Sequence, residues 1–257
     1  MSIEYLSDAD AQRQPGLRMV YVKGVPSPWG EAAKGILHHK DIAVSATYLD
    51  VTSDAQAAWT GGLRSAPIAV YNDEAPIGGW REILMLAERL APTPSLLPAD
   101  PQTQERVLLL SHLLCGENGL GWVRRVQAID AGLRGEGGFP KPVAEYLGNK
   151  YGFSADSARN ATARVVELLA LFTEQLTQQA RAESPYLVGD SLSAADFYCA
   201  AFMGLFAPLP SEQCAMHPKT RAAFETLDAA TAAALDPILL RHRDHLYNTA
   251  MALPLSL

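Results

Sequence analysis

Apolar and polar positions follow two different periods along this chain, and the change from one to the other divides it. Residues 17–22 and 42–49 are apolar, β-prone runs of strand length, separated by a segment whose apolar spacing suits a helix. Residues 52–62 then read as a second helix, capped by Thr52 or Ser53 and stopped by Gly61 and Gly62. Two short strands, Ile68–Tyr71 and residues 75–77, flank Asn72, Asp73 and Glu74, turn formers that predict a hairpin. Trp80–Leu90 returns to helical spacing.

Beyond it, residues 91–98 hold three prolines, which cannot continue a helix and predict a linker over 91–99. Asp100 followed by Pro101 is a cap with proline at the first helical position, and helical spacing dominates from there on. Ser154 is placed to cap a long helix whose Val165, Val166, Leu168, Leu169, Phe172 and Leu176 form a broad apolar face. In the stretch from Tyr186 to Phe197, Ser193 is placed to cap and Asp196 to reach back to the cap amide, while Leu192 and Phe197 clasp the helix start. Residues 197–209 carry no charge, which predicts a helix enclosed by protein and too short to span a bilayer. The expected fold class is therefore α/β plus all-α: a thioredoxin-like domain over 1–90, a linker over 91–99 and an all-helical bundle domain over 100–257.

Composition narrows the function classes. A chain of 257 residues with 48% hydrophobic side chains can fill two modest cores, and a net charge of -7 argues against a nucleic-acid partner. The pairs Arg124 with Arg125, and Arg241 with Arg243, read as solvated helix faces rather than a basic patch. The first ten residues carry Glu4, Asp8 and Asp10 and show no secretory pattern, which predicts a cytoplasmic protein without a membrane partner. Cys115, Cys199 and Cys214 are odd in number and widely spaced, as expected of reduced thiols serving as apolar filler.

Three local patterns occur in a fixed order: Ser27-Pro28-Trp29 before the first helix, Ala66-Pro67-Ile68 before the third strand, and the capping signature from Gly189 to Phe197. Together with the linker they resemble the cytosolic glutathione transferases over nearly the whole chain. The resemblance implies a homodimer that uses glutathione on a small electrophilic substrate, in the serine-type manner. Ser27 would then stabilise the thiolate, with Trp29 beside it. Ala66, before a cis Pro67, would present its backbone to the cysteinyl part of glutathione. Lys34 falls where the family often has a basic residue, and Trp122 is a candidate for the substrate wall. The chain departs from the family at Gly79-Trp80, where an acidic residue or glutamine followed by serine usually binds the γ-glutamyl end.

Each of these residues also has a plainer role. A serine before Pro28 caps a helix, and Pro67 can belong to an ordinary trans loop. A hydroxyl at a helix N-terminus nevertheless suits an anion such as a thiolate, because the free N–H groups and the dipole favour negative charge. His242 and His245 could share a metal, but no third ligand is near, so they read as a surface face; His38 and His39 read as cations complementing a helix C-terminus. The expected function is thiol-dependent conjugation, isomerisation or reductive cleavage of a small electrophile. The alternatives are a scaffold of the same fold that has lost glutathione, and a pocket for another thiol or acid.

Overall fold

The computed structural model describes residues 3–257. From the N-terminus the elements run α1 (Asp8–Arg13), β1 (Leu17–Tyr21), α2 (Pro28–His39), β2 (Val44–Tyr48), α3 (Asp54–Trp59), β3 (Ile68–Tyr71) and α4 (Trp80–Leu90). The strand order is β2-β1-β3. β1 runs parallel to β2, with Leu17 opposite Val44, and antiparallel to β3, with Val20 opposite Ile68. Side chains alternate across the pleat. Leu17, Met19 and Tyr21 enter the main core with α2 and α4, while Val20, Ile68 and Val70 form a second, small core with Leu49 and Trp59.

Two details differ from the sequence expectation. Residues 75–77 make only a bridge to β3, through Ala69 N–H to Ile77 O at 2.8 Å and Ile77 N–H to Ala69 O at 2.9 Å. The next bonded pairs in this register would be Tyr71 with residue 75 and Pro67 with residue 79, but Tyr71 O already accepts from the Glu74 amide at 2.9 Å in the turn, and Pro67 has no N–H to donate. The short helix α1 was not foreseen, since six residues are too few to show a period; Ser7 caps it by accepting from the Asp10 amide at 3.1 Å.

The remainder is helical: α5 (Pro101–Cys115), α6 (Leu120–Arg134), α7 (Lys141–Lys150), α8 (Ala155–Arg181), α9 (Ala194–Met203), α10 (Pro218–Glu225), α11 (Ala229–Ala234) and α12 (Pro237–Thr249). Asp100 caps α5 through the Thr103 amide at 2.8 Å, and Ser154 caps α8 through the Ser157 amide at 3.1 Å. Residues 91–100 carry no helix or strand, and the buried Lys40 ammonium holds their start by donating to Ala91 O and Pro94 O, both at 2.6 Å. Among the described residues, no helix is long and apolar enough to cross a membrane.

Every residue of α9 is buried, and the helix packs against α2, α5 and α12. It ends at Met203, before the uncharged run does, because Gly204 and the prolines at 208 and 210 break the pattern. Asp196 does more than cap. Its carboxylate accepts from the Ser193 amide at 2.9 Å, the Ser193 hydroxyl at 2.8 Å, the Leu187 amide at 2.6 Å and His242 Nε2 at 2.9 Å. His242 is therefore an interior residue, not part of a surface face: a carboxylate buried at the helix start needs donors, and α12 supplies one.

The paired arginines are corrected in the same way. Arg124 is buried and donates to Leu205 O, Phe224 O and Thr226 O at 3.3, 3.1 and 2.9 Å, and Arg243 is buried and donates to Ala207 O. The chain leaving α9 exposes carbonyls to the interior, and guanidinium groups satisfy them. Residues 251–257 run back over the α/β part. Tyr5 donates to Ser256 O at 3.0 Å, Tyr48 to Leu257 O at 2.9 Å, and Lys34 to Ser256 O.

Candidate functional site

A cavity of about 840 Å³ lies between the α/β part and helices α5, α6, α7 and α10. Ser27, Trp29, Ala66, Pro67, Gly79 and Trp80 all line it, so residues far apart in sequence meet at one place. β1 delivers the chain to Ser27, and Pro28 opens α2 with the one residue type whose missing N–H costs a helix start nothing. Ser27 occupies the cap position and is only 6% exposed, yet its hydroxyl makes no capping bond and no other hydrogen bond among the described residues. The Ala66–Pro67 peptide is cis, as expected from the sequence, and Pro67 leads directly into β3.

At the other end of the cavity Gly79 is the cap residue of α4 and has no side chain to offer. Glu82 folds back over that helix start: a Cβ on Gly79 would stand only 1.7 Å from Glu82 Oε2. The Trp80 indole does not plug the space. It packs edge-on against Tyr198 with ring centres 5.4 Å apart, and the Trp80 carbonyl accepts from the Tyr198 hydroxyl at 3.0 Å.

The opposite wall is aromatic and cationic. Trp29 donates through Nε1 to Cys115 O at 2.9 Å and meets Phe202 edge-on at 4.9 Å. This close approach of α6 requires Gly121, where a Cβ would come within 2.3 Å of Phe202 Cε1 and 2.9 Å of Trp29 Cη2. Trp122 lines the cavity and packs edge-on against Tyr151 at 4.9 Å. Arg125 lies over two rings, 4.9 Å from the centre of Trp29 and 5.3 Å from that of Tyr151. Its sequence assignment to a solvated face does not hold, because the α6 face bearing it closes the cavity. Nothing local distinguishes it from Arg124, one residue away; only the fold sends one to backbone carbonyls and the other to the cavity.

Lys34, Cys115 and the histidines at the end of α2 stand apart from the chemistry. Lys34 pairs with Glu31 at 2.8 Å and donates to Ser256 O, beneath residues 251–257. Burial pushes the Cys115 thiol well above the usual range, so this cavity-lining sulfur is a poor nucleophile. Burial pulls the His38 and His39 pKa values down, which weakens the positive charge expected at the end of α2. Among the described residues no group of three or more His, Cys, Asp or Glu side chains could hold a metal.

Comparison of the sequence with protein-family models finds no match, and comparison with curated proteins finds none either. Solved structures do match in shape. A glutathione S-transferase from Methylobacillus flagellatus with glutathione bound is 16% identical, covers 91% of this chain and 96% of its own, and has a TM-score of 0.63. One from Methylobacterium radiotolerans, in complex with glutathione sulfonate, is 18% identical over 91% of both chains, with a TM-score of 0.58. The β-etherase LigF from a Sphingobium strain is 16% identical, covers 90% of this chain and 99% of its own, and has a TM-score of 0.55. The chain has the glutathione S-transferase fold, a thioredoxin-like part followed by a helical bundle.

Proposed function

We propose that this chain, built on the glutathione S-transferase fold, is a thiol-dependent enzyme that conjugates, isomerises or reductively cleaves a small electrophilic substrate, with glutathione as the thiol. The observation that carries the reading is the Ser27 hydroxyl, held at the start of α2 yet unused by the helix it caps. A bound thiol would supply a nucleophilic sulfur. Ser27 would donate its hydroxyl hydrogen to that sulfur, and the free N–H groups at the start of α2 would favour its negative charge. Ala66, before the cis bond, would align the thiol's backbone with its own, and Trp29 would close the adjacent wall. The residues fit glutathione well at the cysteinyl end. At the γ-glutamyl end the fit is poorer, because Gly79 provides only backbone, Trp80 brings a bulky indole in place of a small hydroxyl, and the Glu82 carboxylate faces the same helix start.

The domain roles belong to the same reading: residues 1–90 bind the thiol, 91–99 link, and 100–257 form the substrate side of a cytoplasmic homodimer. Isothermal titration tests it. Glutathione should bind saturably, and Ser27→Ala should lower turnover about a hundredfold or more while affinity changes little, the usual effect of removing one donor to a developing or stabilised anion. No binding at millimolar glutathione would overturn it. The position of Glu82 favours a second reading, a scaffold of this fold that no longer binds glutathione. An absence of turnover in a protein that still binds a macromolecular partner would favour that alternative. A molar-mass measurement at micromolar concentration checks the dimer.

A further inference from the structure

Arg125 is a half-buried cation with no acidic partner among the described residues. Its Nε is shut off from solvent without a hydrogen bond, and neither terminal nitrogen makes a hydrogen bond or ion pair among the described residues. The Trp29 and Tyr151 rings stabilise the charge through their faces, but rings offer no acceptor for five N–H donors. Lys150, the last residue of α7, lies 5.8 Å from the centre of the same Tyr151 ring, lines the same cavity and likewise has no ion pair among the described residues. Burial first, and then Arg125, lower the Lys150 ammonium from its usual range, so the two cations sense each other. Lys23 also lines the cavity and Glu117 is the acidic residue there. In a protein of net charge -7 this cavity is locally positive.

We infer that the electrophile is an aromatic acid: a flat ring seated among Trp29, Trp122 and Tyr151, carrying an oxyanion that Arg125 binds with Lys150 behind it. A planar guanidinium held among aromatic rings matches a carboxylate through two parallel hydrogen bonds, and an anion supplies the acceptors that the protein leaves out. The assignment rests on the cavity being the electrophile side of a thiol-transfer site. It adds the substrate's charge and shape.

The test compares 4-chloro-3-nitrobenzoate with its neutral amide by tryptophan fluorescence titration, in the absence of glutathione. The native protein should prefer the acid about tenfold or more, as expected for a charge-assisted pair. Arg125→Gln should abolish the preference and leave amide affinity within about twofold, Arg125→Lys should keep part of it, and Lys150→Met should weaken acid binding about threefold. Equal affinity for acid and amide in the native protein would overturn the inference, as would a preference that survives Arg125→Gln. So would a loss of glutathione affinity in Arg125→Gln with acid binding unchanged. Titrating glutathione alone separates the two ideas. Acid preference without glutathione binding would remove the thiol and keep the anion site, whereas glutathione binding without acid preference would remove the anion site only.

Discussion

The Glu82 carboxylate occupies the space where a side chain on Gly79 would begin, 1.7 Å from the Cβ position. It therefore stands as a built-in anion at the start of α4, where the free amides would otherwise receive one from a ligand. Glu82→Ala should tighten glutathione binding about three- to fivefold, since one like charge at a few ångströms in a largely aqueous setting opposes binding by about 1 kcal/mol. Calorimetry at low salt measures it; unchanged affinity would mean that Glu82 swings aside at no cost.

Ser27 separates two roles that serine combines in most helices. Because its hydroxyl makes no capping bond, Ser27→Ala should lower stability by no more than about 0.5 kcal/mol, against the 0.5–2 kcal/mol usual for a working cap. Denaturant unfolding of the variant gives the number. A loss near 2 kcal/mol would return Ser27 to the helix.

Asp196 is the reverse case, a polar residue whose whole role is structural. Asp196→Ala orphans four donors at once, the Ser193 amide and hydroxyl, the Leu187 amide and His242 Nε2. The expected loss is about 3–5 kcal/mol, enough to leave much of the protein unfolded near physiological temperature. Far-ultraviolet circular dichroism during thermal unfolding checks it.

The end of α2 makes stability depend on mild acid. Burial lowers the His39 pKa in the folded protein, and Lys40 and His38 add to the effect. As pH falls from about 6.5, the unfolded chain takes up a proton that the folded state still refuses, so stability declines until the folded value is passed and then levels off. His39→Gln should flatten that decline in part, because burial also lowers the His38 pKa and that contribution remains. Urea midpoints between pH 7 and 5 measure it.

The architecture was legible because local devices repeat at the right separations. Pro28 at a helix start, Pro67 before a strand and Ser193 with Asp196 each have a physical meaning that survives without coordinates. The strand expected at 75–77 reduces to a bridge, because the turn formers Asn72 and Asp73 do not reveal that the turn itself takes Tyr71 O through the Glu74 amide. On the site, the α/β wall could be read from short motifs, but the helical wall could not. Arg124 and Arg125 carry identical local signals and diverge only when α6 is set against α2 and α7. His242 was misassigned for a related reason: its acceptor lies 46 residues away in sequence.

Tyr5 and Ser256, bonded across 251 positions, set an order of events in synthesis. At about 5 to 20 residues per second, the ribosome delivers residue 256 roughly 10 to 50 seconds after residue 5 has appeared. Until then Tyr5, Lys34 and Tyr48 wait without the carbonyls they finally hold. The first part of the chain to be made is thus among the last to be finished. A chain truncated before residue 251 should be clipped by protease near β2 and α2, and one that includes residues 251–257 should resist.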